Sequence, residues 1–143
     1  MMSLIDAATE SERPKRLLVL DDEPSICEFV RRVAEGAGFE VKTAVNHDEF
    51  SAAYDSFDPS GIIFDLVMPN VDGIALMEIL AKNECKTPLV IMSGYHHELL
   101  KSGRRLGDDY ELDVRGTLRK PFGIAELLDA MSWLDSPARP ESR

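Results

Sequence analysis

The sequence predicts an α/β fold: a doubly wound five-stranded parallel sheet with helices on both faces. Three observations predict it. Short apolar runs and amphipathic stretches alternate five times along the chain, as repeated βαβ units with right-handed crossovers do. The apolar runs are nearly continuous, which strands covered on both faces require. The notable polar residues, Asp21 and Asp22, Asp65, Ser93 and Lys120, fall at the carboxyl ends of the expected strands. They therefore collect at the carboxyl edge, where open α/β sheets hold their ligands.

Residues 1–14 are polar, end at Pro14 and read as a loose leader. Leu17-Leu18-Val19-Leu20 forms the first strand and runs into Asp21-Asp22-Glu23. Pro24 suits a helix start, where its missing N–H costs nothing. Ile26, Phe29, Val30, Val33, Ala34 and Ala37 recur at helical spacing, and Gly38 ends that helix. Residues 39–44 alternate as a second strand. Asn46 and Glu49 form a capping pair for a helix carrying Phe50, Ala53, Tyr54 and Phe57.

Gly61-Ile62-Ile63-Phe64 is the central strand and delivers Asp65 to its carboxyl end; a charge seldom stands there for stability alone. Pro69 and Asn70 break the pattern, and Asp72-Gly73 opens a helix carrying Ile74, Met77 and Leu80. Pro88 to Met92 is the fourth strand, closed by Ser93-Gly94, and a more polar helix covers 96–106. Gly116 to Arg119 is the fifth strand, ended by Lys120-Pro121-Phe122. Ile124, Leu127, Leu128, Met131 and Leu134 mark the last helix, within a domain of residues 15–135. Residues 136–143 have no apolar period and read as a tail or the start of a linker.

Bulk properties exclude several classes. The net charge of −10 argues against a direct nucleic-acid surface, which needs clustered cations. No apolar run approaches the ~18 residues of a membrane span, and the first 15 residues lack the apolar core of a secretory signal. Cys27 and Cys85 are isolated and read as reduced thiols of a cytoplasmic protein.

Three carboxylates, one hydroxyl and one ammonium thus gather at one edge. Carboxylates so placed repel, and their pKa values rise unless a cation compensates. An all-oxygen cluster without His or Cys suits Mg2+ before Zn2+. Lys120 and Ser93 can bind further oxygens of a phosphoryl group, and an Asp carboxylate can form an aspartyl phosphate. Such chemistry is mostly positioning and charge, and it needs no general base.

Leu-Leu-Val-Leu-Asp-Asp-Glu-Pro, Phe-Asp-Leu-Val-Met-Pro-Asn-Val-Asp-Gly, Val-Ile-Met-Ser-Gly and Lys-Pro-Phe, in that order, resemble the CheY-like receiver domain of two-component response regulators. The resemblance implies a flavodoxin-like strand order, 2-1-3-4-5. It implies that Asp21 and Asp22 hold Mg2+, with Asp65 and the backbone carbonyl of Val67 completing the protein ligands. Asp65 would be the phosphoacceptor, with Ser93 and Lys120 binding phosphoryl oxygens. The donor would be a phosphohistidine on a sensor histidine kinase or histidine phosphotransfer protein. An output domain, another partner protein or a homodimer would receive the signal, with no direct nucleic-acid or membrane contact. The protein would be a signalling phosphoacceptor and not an enzyme. Slow dephosphorylation is expected, with Val67 and Tyr95 flanking the path of water.

Two departures from the family stand out. The switch pairs the hydroxyl, here Ser93, with an aromatic three residues before the lysine; that position is Thr117. Tyr95 offers a substitute ring. The interval from Ser93 to Lys120 is also long, with extra residues around Gly107 to Glu111, so a longer fourth helix or loop is expected.

Plainer roles are weighed beside these. Asp21 and Asp22 would also suit a helix N-terminus, Asp72 a cap, and Ser93 a turn. Lys120 is expected to pair with Asp65 when no phosphoryl group is present. His96 and His97 are adjacent and make a poor metal pair, and Trp133 reads as packing. A Mg2+-dependent phosphohydrolase would want an acid two residues after its nucleophile, where Val67 stands. A phosphorylation-independent receiver-like module would have lost an acid or the lysine, and none is missing.

Overall fold

The computed structural model describes residues 14–68, 71–94 and 97–136. The rest of the expected leader and tail, with Pro69, Asn70, Tyr95 and His96, lie outside the described residues, as do the side chains of Val67, Met68, Val71, Asp72 and His97. Five strands, β1 (Arg16–Leu20), β2 (Glu40–Ala44), β3 (Gly61–Asp65), β4 (Leu89–Ser93) and β5 (Val114–Arg119), alternate with five helices. These are α1 (Pro24–Gly36), α2 (His47–Phe57), α3 (Gly73–Lys82), α4 (His97–Asp109) and α5 (Ile124–Asp135). All pairings of the main sheet are parallel, in the order β2-β1-β3-β4-β5. The order reverses beside β1, which opens the crevice between β1 and β3.

The strands bury both faces. Leu18, Leu20, Ile62, Phe64, Leu89 and Ile91 pack with Phe50, Leu76, Met77, Leu80 and Leu100 of α2, α3 and α4. The alternate set, Leu17, Val19, Ile63, Val90, Met92 and Leu118, packs with Val30 and Ala34 of α1 and Leu127 and Met131 of α5. Each such side chain contributes roughly 1.5–3 kcal/mol on leaving water, so the sheet is a stiff platform for its carboxyl-edge loops. Among the described residues, no helix is long and apolar enough to cross a membrane.

The local signals work largely as the sequence indicates. Pro24 opens α1, and Gly38 turns the chain after it with φ +96. Asn46 Oδ1 accepts from the Glu49 N–H at 2.9 Å, but Glu49 Oε1 accepts from the N–H of Val45 at 3.0 Å, one residue before the cap.

Three spans differ from expectation. Antiparallel pairs Val67–Met68 and Val71–Asp72 join β3 to α3, where the sequence shows only a break at Pro69 and Asn70. The fourth helix starts at His97 and runs to Asp109, three residues beyond 106, so the extra residues at Gly107 to Asp109 lengthen the helix. Two buried glycines let it lie close to its neighbours: a Cβ at Gly103 would stand 2.9 Å from Leu66 Cδ2, and one at Gly107 would stand 2.5 Å from Val114 Cγ2.

The third correction concerns β5, which begins at Val114 and not at Gly116. Leu89 pairs with Val114 but Val90 with Gly116, so Arg115 is the extra residue of a bulge. The bulge re-aims the side chains. Val114 joins the α4 side of the core, while Gly116 abuts Trp133 of α5. Arg115 is 6% exposed and its Nη1 donates to Trp133 O and Ser136 O, both at 2.8 Å. It caps the carboxyl end of α5, and its Nε and Nη2 bind the Asp113 carboxylate in a two-pronged pair at 2.9 Å.

Candidate functional site

Strand ends place Asp21, Asp65, Ser93 and Lys120 at one edge. Asp21 directly follows β1, and its N–H donates to Ala44 O at 3.1 Å, which ties the turn to β2. Asp65 closes β3 at 4% exposure and Ser93 closes β4 at 1%. Lys120 directly follows β5, and its N–H donates to Ser93 O at 2.9 Å. A Cβ at Gly94 would lie 3.3 Å from Lys120 Cβ, so the lysine stem fits closely over that glycine.

One carboxylate oxygen from each of Asp21, Asp22 and Asp65 falls within 4.8 Å of the others. Lys120 reaches into this group. Its Nζ donates to Asp65 Oδ2 at 2.8 Å, the pairing the sequence anticipates. It also lies 2.6 Å from Asp21 Oδ2 and 3.5 Å from Glu23 Oε1. The Asp21 contact sets the ammonium against a buried carboxylate oxygen. Asp21 Oδ1 accepts from the Glu23 N–H at 2.9 Å, which fixes the turn leading into α1 without capping that helix. Its second oxygen meets the Lys120 ammonium. The two roles coexist.

The electrostatics follow from crowding. Burial raises the Asp21 carboxyl above its ordinary range, Asp65 adds repulsion, and Lys120 and the Glu23 N–H recover only part. For Lys120, burial pushes downward, but hydrogen bonds and attraction from Asp21 and Asp65 outweigh it and raise the ammonium. The cluster is therefore short of positive charge. Its donors are carboxylate oxygens with no soft ligand, so the residues present fit a hard divalent cation of the Mg2+ class.

Asp21 has a stability consequence with a definite sign. Its folded carboxyl holds a proton more tightly than the unfolded one. Its stabilising contribution is complete below about 3.8, the unperturbed value, and is lost as pH rises through the raised folded value. At neutral pH the ionised group is a cost. Metal-free Asp21→Asn is accordingly expected to melt above the parent at pH 7, with the gap closing toward pH 4. Thermal denaturation in EDTA across that range checks this, and a variant melting below the parent at pH 7 refutes it.

The remaining candidates are less central. Thr117 pairs with Ile91 in the sheet register and is half-buried between β5 and α4. Val67 stands in the short ladder after Asp65. Asp72 immediately precedes α3. Trp133 packs over Gly116 as expected of a structural residue. Both cysteines are free and buried, and burial pushes the Cys27 thiol up to about 11, which keeps it protonated. Sequence reasoning missed Arg115, because one cation before a glycine looks like the loop ahead of a strand. The bidentate Asp113 spacing, two residues away, was the available signal.

Comparison with known proteins agrees with this geometry. A family model described as the response regulator receiver domain matches residues 17–132. The transcriptional regulatory protein TrcR of Mycobacterium tuberculosis is 28% identical over 126 residues, covering 85% of this chain and 45% of that protein. The DNA-binding dual master transcriptional regulator RpaA of Synechocystis is 30% identical over 117 residues, covering 79% and 46%. The chain thus spans about half the length of these curated relatives. Among solved structures, the receiver domain of Francisella response regulator 1452 is 30% identical with a TM-score of 0.72, covering 85% of this chain and 96% of that one. The chemotaxis response regulator CheY4 of Vibrio cholerae is 26% identical with a TM-score of 0.71, covering 85% and 98%.

Proposed function

We propose, for a chain that belongs to the family of response regulator receiver domains of two-component systems, that Asp65 is its phosphoacceptor. The observation carrying this is the Asp65 carboxylate itself: nearly buried, grouped with Asp21 and Asp22, and held by Lys120 at 2.8 Å. A carboxylate oxygen of Asp65 attacks the phosphorus of a phosphohistidine on a sensor kinase or phosphotransfer protein. The P–N bond breaks as the P–O bond forms, its electron pair returns to the ring nitrogen, and the ring, already protonated at its other nitrogen, leaves as neutral imidazole.

Asp21, Asp22 and Asp65, with the Val67 carbonyl, would hold Mg2+, which supplies positive charge to the phosphoryl oxygens. Lys120 already bridges Asp21 and Asp65, so it can pass an N–H from the carboxylate to an incoming phosphoryl oxygen without leaving the site. The Ser93 hydroxyl, one strand away, donates to another. Closing those contacts draws the ends of β4 and β5 toward the new dianion and shifts the population of the α4–β5–α5 face, with Ser93 and Thr117 as its moving parts. An output domain, a partner protein or a second copy then reads that face in the cytoplasm.

Intact mass after incubation with Mg2+ and acetyl phosphate tests the proposal. A single phosphoryl adduct is expected, absent in EDTA and absent from Asp65→Asn. No adduct on folded, Mg2+-binding protein overturns it and leaves a phosphorylation-independent interaction module.

A further inference from the structure

We infer that Glu23 is a positioning residue, the acceptor that keeps the Lys120 ammonium in place when a divalent cation draws on Asp21 and Asp65. This role rests on the cation-binding reading of the site given above. Lys120 Nζ faces three acids: Asp21 Oδ2 at 2.6 Å, Asp65 Oδ2 at 2.8 Å and Glu23 Oε1 at 3.5 Å. Asp21 and Asp65 belong, with Asp22, to the group whose oxygens could hold a metal ion, and Glu23 stands outside that group. Those two carboxylates cannot serve both cations fully, and two positive charges so close in a poorly solvated site repel strongly. Lys120 cannot retreat far, since its N–H is tied to Ser93 O and its stem lies close over Gly94. Of its three acids, Glu23 is the one left to it.

The start of α1 gives an independent reason to assign this side chain a task. Glu23 occupies the N-cap position, where Ser, Thr, Asp and Asn are preferred because their short side chains reach the first unpaired N–H groups. The Glu23 side chain makes no such bond. Its backbone is committed: the N–H donates to Asp21 Oδ1 at 2.9 Å, and the carbonyl accepts from Ile26 N–H at 3.0 Å and Cys27 N–H at 3.2 Å. Pro24 holds the residue before it extended, here at φ −98 and ψ 109. The side chain thus forgoes the helix and reaches Lys120, a local rule broken at the rim of a site. The Glu23 side chain is 62% exposed, against 0% for Asp21 and 6% for Asp65. It can therefore take or release the ammonium without stranding a buried charge.

Mg2+ affinity, measured by calorimetric titration of the full chain with no phosphodonor present, tests this. Glu23→Gln keeps the side-chain length and should weaken Mg2+ binding about three- to fivefold, the scale of a half-exposed ion pair. In a Lys120→Met background the same substitution should change affinity little, because no ammonium then needs a second acceptor. A further readout does not depend on the stability of the methionine chain. The Lys120 side-chain NH3+ resonance should persist in the Mg2+-saturated parent and be lost to exchange with water in Glu23→Gln. Mg2+ affinity unchanged by Glu23→Gln overturns the inference, as does an NH3+ resonance that behaves alike in both chains. An equal loss of affinity in both backgrounds also overturns it, since Glu23 would then act only as a distant charge. A folded parent that binds no Mg2+ overturns instead the reading of the cation site, and this role with it.

Discussion

In a Lys120→Met chain, phosphoryl transfer to Asp65 is expected to slow by roughly 10²- to 10³-fold, as when one preorganised donor is removed from developing charge. Adduct growth by mass spectrometry measures this, and a slowing below about threefold contradicts the role. The same change has a second effect of a different kind. Lys120 is the cation shared by Asp21 and Asp65, with side-chain exposures of 14%, 0% and 6%. Breaking one partner out of such a buried group costs about 3–5 kcal/mol, a fall in melting temperature on the order of 10 °C.

The pH dependence of that loss separates charge from packing. The ammonium is raised above 10.5, so its stabilising contribution is complete at neutral pH and is lost only as pH climbs through the raised value. The parent therefore keeps this contribution at pH 7. The variant lacks it, and its acids are relieved by protonation or by Mg2+. Melting temperatures of the two chains should converge as pH falls or Mg2+ is added. A gap unchanged by both treatments would mean that Met disrupts packing and that the charge matters little.

Arg115→Met is expected to give the largest stability loss away from the site, about 3–5 kcal/mol. The guanidinium is buried and answers Asp113 on one side and two carbonyls, Trp133 O and Ser136 O, on the other. Methionine fills similar space but leaves the end of α5 uncapped and Asp113 without its cation. Denaturant unfolding measures the loss. Asp113→Asn in the same background should add little, since the partner is already gone. A full additive cost for Asp113→Asn would show that the two residues act independently.

The fold was legible because hydrophobic period and punctuation agree along most of the chain. Leu17 to Leu20, Ile62 to Phe64 and Leu89 to Met92 are apolar on successive residues, and each is bounded by turn or charged residues. The site was legible for the same reason, since strand ends are where the pattern switches from apolar to polar. What escaped was governed by contacts distant in sequence. The Asp113 spacing hints at an ion pair, but nothing near Arg115 announces that it belongs to a strand, because the carbonyls that hold it lie 18 and 21 residues onward. The ladder of Val67 with Asp72 is too short to carry a period. The extra turn of α4 contains Gly107, which by propensity ends a helix; it is retained because Val114 leaves no room for a side chain.

That glycine, with Gly103 one turn earlier, sets the energetic character of α4. A glycine inside a helix gives up about 0.8–1.0 kcal/mol relative to alanine, so the two together remove most of what a 13-residue segment could supply from its own backbone. The helix persists because Leu66 and Val114 press against its glycines. Leu66 directly follows Asp65, and Val114 heads the strand that ends beside Lys120. α4 thus behaves as a borrowed helix, its order lent by the elements that carry the acidic site, and a disturbance there can withdraw the loan.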